Sequence, residues 1–131
     1  MDARTNDHFR TEGTRKSTLA FLSALEAQEA ETDDPMALPM FMVWPDKNPI
    51  TGRRNEVRLA VGVQALGSVK VGRILQAVNR FDTFTEDNDP WKEHDCGTLN
   101  VDGESIIWKI DDYQGYDGIE LVLTIMTSLD Y

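Results

Sequence analysis

The apolar residues of this chain change their period partway along it, and that change limits the available folds more than any other feature. Over SVKVGRILQAVNRF, Val71, Ile74, Leu75, Val78 and Phe81 fall at i, i+3, i+4, i+7 and i+10, which predicts one face of an amphipathic helix with Ser68 as its N-cap. After Cys96 the period becomes two. GTLNV, then Asp102-Gly103, then ESIIWKID reads as a hairpin, because Asp-Gly supplies the positive φ angles of a type I′ turn. Ile106, Trp108 and Ile110 then share one sheet face, and Ile107 and Lys109 the other. In GIELVLTIMTSLDY the β-branched Ile119, Val122, Thr124, Ile125 and Thr127 favour a third strand, although Leu121, Val122, Ile125, Met126 and Leu129 also satisfy helical spacing.

Upstream, residues 1–13 read as a polar, partly ordered arm anchored by Phe9. A helix is expected from Thr14 or Ser17, with Leu19, Phe21, Leu22 and Leu25 as its apolar residues and its end at Pro35. LPMFMVWP reads as an edge strand because Pro39 cannot donate to a ladder; Met36, Met40 and Met42 suit either a core or an adaptable surface, and Met40, Phe41 and Trp44 either a core or a dimer patch. PDKNPITGRRNE has the signals of a loop, and VRLAVGVQALG follows as a strand with Val57, Leu59 and Val61 alternating. The 131 residues suit one domain. The expected class is α+β: two main helices packed on a small, mainly antiparallel sheet with a C-terminal β-meander.

Charge narrows function. Residues 1–81 carry ten acids against eleven Lys and Arg, whereas residues 82–131 carry thirteen acids against Lys92 and Lys109, so the excess negative charge lies in the C-terminal part. Direct nucleic-acid binding by that part is disfavoured, since such affinity comes from neutralising phosphates; a basic protein or a metal ion would be attracted. Apolar runs are too short to span a membrane, the N-terminus lacks the apolar core of a secretory signal, and Cys96 has no partner for a disulfide or a zinc site, so a soluble, cytoplasmic protein is expected. Cys96 itself reads as a small buried residue in a strand rather than a reactive thiol.

Chemistry concentrates between Phe81 and Tyr113. Asp87, Asp89, Glu93, His94 and Asp95 are donors of the right type for a metal, with Asp87, Asp89 and Glu93 as weak candidates, but Asp87-Asn88-Asp89-Pro90 lacks the glycine and alternation of an EF-hand loop. Glu93, His94 and Asp95 are candidates for acid/base catalysis; in an extended strand they would point to alternate faces, leaving Asp111 or Lys109 as the first partners to seek for His94. No cofactor motif accompanies them. A structural reading makes TEDNDP a loop whose side chains bond their own backbone, with His94 and Trp108 tying loop to sheet. A further reading makes Glu86, Asp87, Asp89, Glu93, Asp95, Asp111 and Asp112 an acidic binding face.

VGVQALG, FDTFTEDNDPWKEHDCG, DGESIIWKIDDY and LTIM, with a short echo at NDHFR (Asn6 to Arg10), resemble a bacterial family, domain-of-unknown-function family 3768, found largely in proteobacteria and often on mobile elements. The resemblance covers about residues 57–131 and places the family signature on Asp87, Asn88, Asp89, Pro90, Glu93, His94, Asp95, Gly97, Trp108, Lys109, Ile110 and Asp111. It implies a division into an arm (1–13), an inserted helix and loop region (14–56) and a family-like core (57–131). Cys96 replaces a typical Phe, Asp112 a typical Tyr, and the segment from Tyr113 to Leu123 is shorter than usual; a family site completed by that segment would be lost here. The expectation is a non-enzymatic acidic protein, encoded on a mobile element, that imitates nucleic acid towards a basic defence protein of the host. The alternative is a metal-dependent hydrolase or other enzyme using the Glu93-His94-Asp95 stretch.

Overall fold

The structure, a computed structural model, describes residues 3–31, 42–47, 52–87, 89–90 and 92–130, without the side chains of 22–31 and 42–46. Its elements are α1 (Ala3–Glu31), β1 (Met42–Lys47), β2 (Arg54–Leu59), the one-turn α2 (Val61–Gln64), α3 (Ser68–Asn79), β3 (Cys96–Val101), β4 (Glu104–Asp112) and β5 (Ile119–Thr127). The sheet order is β1-β2-β5-β4-β3, with β2 and β5 parallel and the other neighbours antiparallel. The chain is an α+β protein in which β3, β4 and β5 form the C-terminal meander.

The meander follows from its sequence. Asp102 and Gly103 take φ of 52° and 87°, the left-handed pair that a type I′ turn needs. Ile106, Trp108 and Ile110 are buried in register along β4. β5 is the middle strand of five, so both phases are covered: Leu123 and Ile125 join the main core while Val122 and Met126 are buried as well. A strand buried on both faces loses its alternation, which is why helical spacing fitted it too.

The main core lies between the sheet and the helices, with Val71, Ile74, Leu75 and Val78 of α3 against Val57, Leu59, Trp108 and Ile125. Ser68 is not the cap of α3. Gly67 occupies that position with φ 93°, and no side chain bonds there. Val61, expected in a strand, opens α2 and is exposed, because β2 stops at Leu59 and Ala60 turns to donate its N–H to the Ile125 carbonyl at 3.0 Å. The expected loop is narrower than PDKNPITGRRNE, since Asp46 and Lys47 pair with Asn55 and Arg54 in a β1–β2 ladder. Met36, Met40 and Phe41 lie outside the described residues, as do the side chains of Met42 and Trp44.

The largest departure is the N-terminus. Residues 3–13 of the expected polar arm open a helix that runs without interruption through residue 31, so the division at residue 13 falls inside α1 and that at residue 56 inside β2. Its buried stripe is Asn6, Phe9, Arg10, Thr14, Ser17 and Phe21, whereas Leu19 faces solvent. Four of those six residues are polar. Thr14 Oγ1 and Ser17 Oγ donate to the Arg10 and Gly13 carbonyls at 2.6 and 2.7 Å, and Asn79 Nδ2 of α3 donates to the Thr11 carbonyl at 2.8 Å.

Two hydrogen-bonded carboxylates, the buried Glu56 and the exposed Asp130, make the fold acid-sensitive. Burial pushes the Glu56 carboxyl up, but Arg54 and Arg58, at 2.7 Å on either oxygen, outweigh it and hold the group below its usual value. Asp130 is likewise lowered: its burial is outweighed by the Thr127 amide and hydroxyl and the Gly62 amide, at 2.9, 2.8 and 3.0 Å. A carboxyl whose folded value is depressed adds stability that is complete above its unfolded value and disappears as pH falls through the folded one. The melting temperature should therefore decline as pH drops below about 4.5, and Glu56→Gln should flatten part of that decline in thermal melts taken from pH 6 to pH 3. An unchanged slope would mean that the Arg54–Glu56–Arg58 group does not govern acid stability.

Candidate functional site

The stretch after α3 leaves the helix at Phe81 and is drawn back onto the molecule by a buried aspartate. Asp89 is 6% exposed, and its carboxylate accepts the Glu93 amide at 3.0 Å and the His94 amide at 3.3 Å. The loop does bond its own backbone, as the structural reading held. Residues 92–95 are not an extended strand: Lys92 and His94 have φ of 54° and 53°. The expectation that Glu93 and Asp95 share one face opposite His94 therefore has no basis, because a left-handed residue breaks the alternation.

His94 is held on three sides. Its ring stacks on Phe84 with centroids 3.7 Å apart, its Nδ1 lies 3.0 Å from both Asp7 oxygens, and its Nε2 lies 3.5 Å from Asp89 Oδ2. The Nδ1 contact requires a proton on that nitrogen, since a carboxylate only accepts. Asp7 is a partner the sequence reading did not propose. Lys109 and Asp111, the partners it did propose, pair with each other at 3.4 Å.

Asp7 belongs to a set on α1. Asn6 Nδ2 donates to the Glu93 carbonyl at 2.8 Å. Arg10 donates from Nη1 to Asp7 at 2.9 Å, from Nη2 to the Phe81 carbonyl at 2.9 Å and from Nε to the Val78 carbonyl at 3.2 Å, closing the C-terminal end of α3. The Arg10 guanidinium carbon lies 5.4 Å from the Phe84 ring centre and 5.1 Å from that of Trp108. The signal for this joint was present in the sequence as the NDHFR echo, but hydrophobic periodicity cannot detect a docking face made of Asn, Asp and Arg.

Trp108 is fully buried beneath Phe81 and Phe84 and faces Gly97 across the β3–β4 ladder. A Cβ on Gly97 would come within 2.6 Å of Trp108 Nε1, so only glycine fits there. Asn6 Oδ1 and Trp108 Nε1 are buried with no hydrogen-bond partner among the described residues.

Of the remaining signature and acidic-face residues, Ile110 is buried and the other described ones lie outward. Glu86, Asp87, Pro90 and Asp112 are exposed, and Glu93, Asp95, Lys109 and Asp111 are half-buried; Asn88 falls outside the described residues. The Ile110 amide donates to the Asp95 carbonyl at 2.7 Å, which brings the acidic loop alongside Asp111 and Asp112 at one end of the sheet. Asp89 is a correction to the acidic face: its carboxylate turns inward to cap the loop. Among the described residues no three His, Cys, Asp or Glu side chains converge as metal ligands, Asp87, Asp89 and Glu93 included. Cys96 lies in β3 as expected but is exposed rather than buried, and partial burial together with the neighbouring Asp95 raises its thiol pKa, which keeps it protonated and weakly nucleophilic at neutral pH. A separate cleft of about 420 Å³ opens between α1 and the β2–β5 strands over Phe9, Val57 and Leu121, with His8, Glu12 and Glu120 among its lining; no signature residue is part of that described lining.

Fold and site define a small α+β domain whose sheet carries an acidic loop buttressed by an N-terminal helix. The family model described as protein of unknown function (DUF3768) matches residues 59–122, a match that supports membership of that family. The match takes in the whole signature and leaves out α1. No curated protein and no solved structure matches the chain. No helix among the described residues is long and apolar enough to cross a membrane.

Proposed function

We propose that this is a non-enzymatic interaction protein of the cytoplasm that presents its acidic loop and the end of β4 to a basic protein, imitating nucleic acid towards a defence protein that a mobile element must evade. The observation that carries the reading is an imbalance of partners. Among the described residues, Asp82, Glu86, Asp87, Glu93, Asp95 and Asp112 are in no ion pair, while Arg10, Arg15, Arg54, Arg58, Lys70 and Arg73 each pair with a carboxylate elsewhere and Lys109 pairs with Asp111. The loop from Asp82 to Asp95 holds six acids against Lys92 alone. Such a surface speeds encounter with a cationic partner and selects against nucleic acid itself. The resemblance to a family found on mobile elements supports the choice of partner.

The test is competition. Fluorescence anisotropy of a labelled DNA duplex bound to each of a panel of basic DNA-binding defence proteins should fall when the chain is added. The combined Glu86→Lys, Asp87→Lys and Asp95→Lys variant should compete at least tenfold less well, and higher salt should weaken the wild type. Asp89 is left intact because it caps the loop. Equal competition by variant and wild type, or none by either across the panel, would sink the proposal.

A further inference from the structure

We infer that the acidic loop and the first turns of α1 form one cooperative unit coupled through His94, so that the carboxylate surface keeps its shape only while α1 is docked. The argument starts from backbone strain. Lys92 and His94, neither of them glycine, both occupy the left-handed region at φ 54° and 53°. Such conformations persist where surrounding contacts over-determine them. Among the described residues, α1 supplies the outside side-chain contacts at these positions: Asn6 donates to the carbonyl of Glu93, the residue between the two strained ones, and Asp7 accepts the His94 Nδ1–H, while β4 holds only the next residue, through the Ile110 amide on the Asp95 carbonyl. Asp89 supplies the inner half by accepting both the Glu93 and His94 amides.

Dependence runs the other way as well. Phe9 is the one apolar side chain that the α1 segment from residue 5 to residue 11 buries, and the rest of its docking is polar and directed at loop and helix-end groups, namely Glu93, His94, Val78 and Phe81. A segment held mainly by hydrogen bonds to a loop loses its seat when the loop changes shape. By linkage, a partner that grips the loop in this conformation also stabilises the docked α1, and an event that frees α1 weakens the partner. The coupling belongs to the free chain and stands whether or not the acidic surface has the partner proposed above.

The experiment is amide hydrogen exchange on the full chain at neutral pH, which needs no partner. His94→Phe keeps a ring to stack on Phe84 and removes both carboxylate contacts; Asp7→Asn is a milder change from the α1 side; Arg73→Ala removes the exposed 2.7 Å pair with Asp102 and serves as a control. For His94→Phe we expect exchange at least tenfold faster both at amides 93–94 and at amides 6–11, with Ile74–Val78 and Leu123–Ile125 unchanged. Asp7→Asn should accelerate the same two segments to a smaller degree, and Arg73→Ala neither. Should His94→Phe fail to fold, the Asp7→Asn pattern decides. Acceleration confined to one segment, acceleration spread evenly over the chain, or no change would overturn the inference.

Discussion

Arg10→Ala is expected to cost about 3–5 kcal/mol of folding stability, the range for removing one partner from a buried charged network. The guanidinium is almost wholly enclosed, with the side chain 5% exposed, and it donates to two carbonyls where α3 ends as well as to Asp7. Truncation takes from the Phe81 carbonyl the Arg10 donor at 2.9 Å, leaves the Val78 carbonyl with the Phe81 amide at 3.3 Å, and removes the cation packed against Phe84 and Trp108. Arg10→Lys should recover only part of the loss, because an ammonium cannot reproduce three planar N–H directions at once. Urea unfolding followed by circular dichroism measures both variants. A loss below about 1 kcal/mol for Arg10→Ala, the level of an exposed ion pair, would mean that α1 is not fastened through this residue.

Trp108→Ala should be comparably severe, about 3–5 kcal/mol for an emptied aromatic site in a core. The indole has no exposed surface and sits edge-on to Phe81 and Phe84, with ring centres 5.4 and 6.2 Å away. Gly97 above it contributes no side chain that could collapse into the space. Trp108→Phe is the informative companion. It leaves a smaller void and removes an indole N–H that has no acceptor among the described residues, so its cost should be less than half that of alanine. If Phe proves as costly as Ala in the same urea experiment, the N–H has a partner in solution and the site is more polar than its lining suggests.

These two residues show how differently parts of the site could be read from sequence. Trp108 falls in the alternating pattern of β4 beside Ile106 and Ile110, so its inward direction follows from period alone. Arg10 and Asp7 carry no such mark. A buried arginine and a half-exposed aspartate on a helix look the same in sequence as solvated ones, and what separates them is the carbonyls and the imidazole they meet across a separation of some seventy to ninety residues. Asp89 is similar: six acids in one loop read as a face, but one carboxylate turns inward because two backbone amides are there to receive it.

What the sequence determined by itself was the part governed by local rules. The α3 stripe, the hairpin with its turn at Asp102-Gly103, the meander and the charge asymmetry all follow from spacing, turn stereochemistry and counting, none of which needs a distant partner. Tertiary structure alone decided that the N-terminal segment is helical, that β2 lies parallel to β5, and that the acidic loop is bent through two left-handed residues and seated on Asn6, Asp7 and Arg10. The physical reason is that polar docking has no period. Hydrophobic burial marks a whole face of an element, whereas a hydrogen bond depends on one donor and one acceptor meeting within about 3 Å, and that meeting exists only once the chain has folded.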